Sequence, residues 1–289
     1  MREDETLCLD SLERLIEWHI ASGTEGLVSV GTTGECSTLA LDEHVKVIEH
    51  TVRIAAGRLP VIGGTGANAT AEGVELTKRV ADVGVDGCMQ VCPYYNRPPQ
   101  EGLYRHFLKI AEAVPRLPQI LYNVPGRTGV DLLPETVARL AQVDNIVGLK
   151  EAVADTERMD ALFAACSEAI SGGFAILSGD DFSMHELMIR GGSGCISVSA
   201  NVAPAQVRTI CDLASSGQSD EAVRAANERL MPLHRVLFEV ASPIPCKWAL
   251  HLMDLIPPGI RLPLVPLPDA DADLAAKLGA VINDLEKSP

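Results

Sequence analysis

"NIVGLKEAV", residues 145–153, sets an ammonium inside a run that otherwise reads as a buried strand, with Ile146, Val147 and Leu149 leading into Lys150. A run apolar on both faces suits a strand of a parallel sheet covered by helices. Six further runs share this character: 27–33 (LVSVGTT), 60–66 (PVIGGTG), 86–93 (DGCMQVCP), 118–125 (PQILYNVP), 174–181 (FAILSGDD) and 194–199 (GCISVS). Amphipathic stretches follow them at 42–56, 70–83, 101–114, 134–142, 155–169, 182–190 and 204–216. Strand–helix alternation at roughly 20–33 residues per unit predicts a (β/α) barrel. A doubly wound open sheet is the competitor, but GTTGEC after the first run lacks the GxGxxG spacing.

Polar residues gather at the C-terminal ends of the runs: Thr32-Thr33-Gly34-Glu35, Thr65-Gly66, Tyr94-Tyr95-Asn96, Tyr122-Asn123, Lys150-Glu151, Ser178-Gly179-Asp180-Asp181 and Ser199-Ala200-Asn201. In a barrel these ends converge on one face, where active sites are built. The runs number seven rather than eight. Residues 1–10 are too polar for a buried strand, and 11–21 already reads as a helix. The reading therefore expects either a chain start upstream of Met1 or a barrel open on one side. Past residue 217 the patterns at 219–256 and 269–286 are helical, separated by PPGIRLPLVPLP. This divides the chain into a barrel, 1–217, and a C-terminal helical extension, 218–289.

Twenty-four basic against 39 acidic residues leave a net charge of −15, which disfavours nucleic acid as a partner because phosphate binding needs a positive face. There is no long apolar run and no charged-then-apolar leader, so no membrane span or secretory signal is expected, and the cytoplasm is the expected compartment. The eight cysteines include no CxxC pair and the seven histidines no HExxH, so reduced thiols and no metal site are expected.

Lys150 stands near the end of its run and shares strand parity with Ile146 and Gly148. Facing into the barrel, its amine would be desolvated, its pKa would fall from about 10.4, and it would attack a ketone. One strand earlier Tyr122 lies at matching depth, where a phenol could relay protons to a forming imine. Thr32 and Thr33 have hydroxyls and glycine-flanked backbone donors suited to a carboxylate. The Arg127 guanidinium could clamp a second one.

These residues lie in blocks that carry a family resemblance. GTTGE (31–35), GTGANATAE (64–72), PYYNRPPQEGLYRHF (93–107), LYNVPGRTG (121–129), GLKEA (148–152), LSGDD (177–181), GCISVSANVAP (194–204) and SPIPCKW (242–248) resemble the 4-hydroxy-tetrahydrodipicolinate (dihydrodipicolinate) synthase family of pyruvate-dependent class I aldolases. The match runs in order from about residue 11 to 268. It implies a (β/α)8 TIM barrel whose first strand has no counterpart here. It also implies condensation of pyruvate with L-aspartate 4-semialdehyde in the diaminopimelate route of lysine biosynthesis, with no cofactor. Lys150 would form the Schiff base and Tyr122 would donate and accept protons. Thr32 and Tyr95 would complete a relay in which Tyr95 reaches the neighbouring subunit's site, implying a dimer or a dimer of dimers. Thr33 and the Ile196 backbone would hold pyruvate, Gly179 would line the pocket, and Arg127 would bind the aldehyde's carboxylate. Cys36, Ser37, His44, Asn68, Glu72 and Tyr94 suit positions lining the L-lysine effector pocket. Leu41 stands where sensitive enzymes can have histidine, which points to weakened feedback.

Two other readings share these residues. One is a pyruvate-forming lyase acting on sialic acid or a keto-deoxy sugar acid. The other is a truncated, non-catalytic paralogue. Arg127 and the PYYN tyrosines favour the synthase, because a small anionic aldehyde needs such a clamp.

Overall fold

The computed structural model describes residues 1–287. Helix α1 (Leu9–Ala21) precedes seven strands, β1 (Leu27–Ser29), β2 (Val61–Gly64), β3 (Gly87–Val91), β4 (Gln119–Asn123), β5 (Ile146–Glu151), β6 (Ala175–Ser178) and β7 (Gly194–Cys195). They form one sheet in chain order, every neighbouring pair parallel. Helices α2 (Leu41–Ala55), α3 (Thr70–Val83) and α4 (Gln100–Ala113) connect the first four strands. Helices α5 (Pro125–Thr128) and α6 (Pro134–Leu140) follow β4, and α7 (Thr156–Ala165) and α8 (Ser167–Ser171) follow β5. Then come α9 (Met184–Ile189) after β6 and α10 (Pro204–Ser215) after β7. Residues following β1 and β7, at the two ends of the sheet, line the same cavity as residues of β4 and β5. The sheet is therefore curled into a half-barrel of TIM-barrel type, with a seam between β1 and β7.

Helices cover the outer face because alternate strand residues demand it. Leu121 and Leu149 pack with Leu103 and Phe107 of α4, Leu140 of α6 and Leu162 of α7. Each such side chain is fully buried, a contribution of roughly 1.5–3 kcal/mol apiece. Ile146 belongs to this same cluster, which corrects its expected shared face with Lys150. The cause is a bulge: Gln119 pairs with Ile146 but Ile120 pairs with Gly148, so Val147 is an extra residue and is left exposed.

Three other boundaries differ from expectation. The run 194–199 gives only a two-residue strand, because the backbone is already helical at Val198 and coils into a 3-10 turn, Ser199–Asn201, whose first N–H donates to Asp181 Oδ2 at 2.9 Å. The run 27–33 ends at Ser29, after which Val30 takes a φ of 57° and residues Thr32–Gly34 coil into a 3-10 turn. The stretch 219–256 is two helices, α11 (Asp220–Phe238) and α12 (Ile244–Leu252). Residues 239–243 separate them, and Pro243 stands at the N-cap of α12, where it restricts Ser242 to non-helical geometry. The extension ends in α13 (Leu267–Ala270) and α14 (Ala272–Lys287).

The extension shares its core with the last barrel units. Met184 and Met188 of α9 and Val207 and Ile210 of α10 pack in one cluster with Leu233 and Leu237 of α11 and Leu278 of α14. No described helix is long and apolar enough to cross a membrane.

Candidate active site

Strand β5 presents opposite chemistries on its two faces. Leu149 turns outward into the helices, and alternation then aims Lys150 inward, into a cavity of about 520 Å³. Tyr122 is its register partner on β4, and Lys150 Nζ stands 4.2 Å from the phenol ring's centroid. Among the described residues no carboxylate forms an ion pair with this ammonium. Burial therefore dominates and pulls its pKa from 10.5 down to about 8, with the Asp181 carboxylate pulling the other way and the Arg127 cation adding to the fall. About a tenth of the amine is then neutral at pH 7, a few hundredfold more than for a free lysine. Burial likewise pushes the Tyr122 phenol up to about 12, against the nearby Arg127 charge and the Thr32 hydroxyl. The phenol stays protonated across the neutral range and can give a proton.

Gly179 makes room for the amine. A Cβ there would meet Lys150 Cε at 2.8 Å and Cγ at 3.0 Å. Thr32 and Thr33 enter the cavity on the 3-10 turn after β1. That turn is pinned by Glu35, which holds a φ of 57° and a buried carboxylate. Lys247 Nζ donates to Glu35 Oε1, and the Arg261 N–H donates to Oε2 at 2.9 Å. The Ile196 N–H is spent on the Ser178 carbonyl at 2.8 Å, so its own carbonyl is what remains for a ligand. Arg127, exposed on α5, lines the cavity and donates from Nη2 to the Ser242 carbonyl at 3.1 Å.

The structure thus gathers Lys150, Tyr122, Thr32 and Thr33 with Gly179, Ile196 and Arg127 around one cavity. Tyr95 is elsewhere. It is 89 % exposed, holds a φ of 73°, and does not line this cavity. The six residues of the expected effector site lie outside the cavity too. Burial raises the pKa of the Tyr94 phenol, with Cys36 and Glu72 near it, and Asn68 donates to the Tyr94 carbonyl at 3.3 Å. Ser37 is exposed, while His44 is buried with Nε2 2.7 Å from the Gly64 carbonyl. Among the described residues no three His, Cys, Asp or Glu side chains group as a metal ion would need.

Two supports of the site were missing from the sequence reading. One is the Glu35–Lys247 tether. The other is a buried network behind β5, in which Asn123 Nδ2 donates to Glu151 Oε1 at 3.0 Å and to Asp131 Oδ1 at 2.8 Å. Arg158 ion-pairs with both carboxylates at 3.1 Å. The signal was an acidic residue inside an apolar strand, Glu151 of GLKEA, which must find a partner when buried.

The chain matches the model of the dihydrodipicolinate synthetase family over residues 1–281. It is 54% identical over 270 residues to the 4-hydroxy-tetrahydrodipicolinate synthase of Alcanivorax borkumensis, covering 93% of this chain and 90% of that one. It is 55% identical over 264 residues to that of Methylococcus capsulatus, covering 91% and 89%. Among solved structures, the chloride-inhibited dihydrodipicolinate synthase of Acinetobacter baumannii, complexed with pyruvate, superposes with a TM-score of 0.92 at 48% identity, covering 98% of this chain and 95% of that one. With a family model matched over residues 1–281, relatives more than half identical and a solved structure of the same fold, this chain belongs to the dihydrodipicolinate synthetase family.

Proposed function

We propose that this chain is a lyase that condenses pyruvate with L-aspartate 4-semialdehyde to 4-hydroxy-tetrahydrodipicolinate, the step that opens the diaminopimelate route to lysine. The observation that carries this is Lys150, buried in the wall of a cavity with no carboxylate ion-paired to it among the described residues, 4.2 Å from the Tyr122 ring. Its neutral amine attacks the pyruvate carbonyl, and loss of water leaves an iminium. A proton then leaves the methyl carbon, and the enamine attacks the aldehyde. Tyr122 gives and takes the protons, relayed through Thr32. Thr33 and the Ile196 carbonyl orient pyruvate, and Arg127 receives the aldehyde's carboxylate.

Pyruvate with borohydride should add a reduced adduct to wild-type protein at Lys150 and none to Lys150→Ala, read by intact mass and peptide mapping. An unlabelled wild type would refute the Schiff base. Turnover of aspartate semialdehyde, set against sialic acid and 2-keto-3-deoxygluconate, separates the synthase from a lyase of the same superfamily.

Tyr95, exposed beyond its own cavity, supports a relay completed across subunits of a cytoplasmic dimer or dimer of dimers. Lysine would bind near Cys36, Ser37, His44, Asn68, Glu72 and Tyr94. The division into a barrel body, 1–217, and a helical extension, 218–289, belongs to this proposal, and residues 288 and 289 lie outside the described residues. One more parallel strand paired across the seam between β1 and β7 would close a (β/α)8 barrel.

A further inference from the structure

Two thiols meet beside the site, and none of the roles above uses them. Cys195 closes β7 and Cys211 lies in α10, 16 residues further on, with their sulfurs 3.7 Å apart. Both are free thiols, both are half-buried, and both line the cavity that holds Lys150. Two periodicities bring them together. Cys195 pairs with Ser178, itself the register partner of Glu151, and so shares their outward face. On α10, Pro204, Val207 and Cys211 recur at helical spacing, and that side of the helix borders the cavity. Because β7 is the edge of the seam, the cavity reaches past it to α10. Among the described residues no other two cysteine sulfurs touch; Cys8, also half-buried, stands against the Ser11 hydroxyl at 3.1 Å.

The contact makes the two sulfurs unequal. A hydrogen given by Cys195 lowers the pKa of the Cys211 thiol, and the same bond, with burial, raises that of Cys195. Cys211 is therefore the sulfur that ionises first. Its thiolate attacks one oxygen of a peroxide, the O–O bond breaks, and a sulfenic acid and hydroxide result. Cys195 gives its proton to that hydroxide, and its sulfur then displaces the sulfenyl oxygen, which leaves as a second hydroxide and takes the proton Cys211 had released. Two thiols and one peroxide thus give one disulfide and two waters, with two electrons passing from sulfur to oxygen. Thiol reductants reverse such a bond by exchange.

We propose that Cys195 and Cys211 are a modification site for peroxides, a dithiol that closes to a disulfide, and that the closed form holds pyruvate less tightly. The second half rests on the Schiff-base reading above; the first stands without it. Closure brings the sulfurs from 3.7 Å to about 2.05 Å and draws the end of β7 towards α10. The next residue is Ile196, tied to the Ser178 carbonyl through its N–H at 2.8 Å, and its own carbonyl orients pyruvate in that reading. Moving a positioning group by about 1 Å can cost up to about a hundredfold.

The test treats the reduced full chain with hydrogen peroxide, alkylates the remaining thiols under denaturing conditions and maps the peptides. Those bearing Cys195 and Cys211 should run as one cross-linked species and separate again with dithiothreitol. In parallel, the pyruvate adduct is trapped with cyanoborohydride, which spares disulfides. Its half-saturation should rise roughly tenfold after peroxide and return with dithiothreitol. Cys211→Ser should match untreated wild type and show no such rise. Should that variant fail to fold, Cys211→Ala takes its place, and the wild-type map decides the cross-link without either. No cross-link between Cys195 and Cys211 within one chain would overturn the proposal. An unmoved half-saturation, or an equal rise in the Cys211 variant, would overturn its second half. A wild type that cross-links but takes no pyruvate would overturn the Schiff base and that second half with it, and leave the dithiol standing.

Discussion

Lys150 couples reactivity to a cost in stability. Its folded pKa of about 8 lies below the unfolded value near 10.5, so at pH 7 both states carry the charge and the folded state bears its burial. Between those two pKa values the unfolded chain binds the extra proton, and stability contributed by this group rises with pH. Lys150→Met should therefore raise stability by about 2 kcal/mol at pH 7, seen as a higher urea midpoint, and the gain should fade as pH climbs from 8 past 10. Gly179 guards the same amine. Gly179→Ala would drive a methyl against the Lys150 stem, a flexible neighbour, so the fold should survive while adduct formation slows at least tenfold or so. Arg127→Ala should leave pyruvate capture intact and raise the aldehyde KM by roughly ten- to a hundredfold, the worth of a charged hydrogen bond. Normal aldehyde kinetics in that variant would remove the clamp from the mechanism.

At the scale of the strand, β5 depends on both of its faces. Lys150 can point at the cavity because Glu151, its neighbour, is satisfied on the other side by Asn123 and Arg158. Burial pushes the Glu151 carboxyl up, and the Arg158 charge opposes this. Arg158→Ala would strand two carboxylates and should cost about 3–5 kcal/mol in chemical denaturation, with β5 and its lysine loosened. The strand's identity and its inward lysine were legible from the apolar run and its end position. The face of Ile146 was not, because a bulge at Val147 resets the alternation, and a bulge is set by pairing with β4. The short β7 was hidden for a similar reason. GCISVS has full strand character, yet its last residues coil into a 3-10 turn that Asp181, on another segment, holds through the Ser199 N–H and hydroxyl.

Across the whole molecule, the C-terminal helices complete the barrel's core. Fragment 1–217 would uncover Met184, Met188, Val207 and Ile210, which pack against Leu233, Leu237 and Leu278. It should bind a hydrophobic dye and melt without a sharp transition, and cooperative unfolding of that fragment would contradict a shared core. The tether from Glu35 to Lys247 joins the same two parts, carrying the threonine turn on one end and the extension on the other.

The sequence alone determined the alternation of strands and helices, the polar ends of the strands, and the inward ammonium at residue 150. Each is a local signal, read from spacing and side-chain character within a few turns of chain. Only the tertiary structure decided which polar groups meet. Arg127 finds the Ser242 carbonyl 115 residues away, Lys247 finds Glu35 across 212, and Ser199 joins Asp181 and His234 across 18 and 35. Those contacts arise from curling the sheet until its ends face one cavity. No periodicity along a chain encodes that closure, because it is fixed by how the helices pack around the sheet.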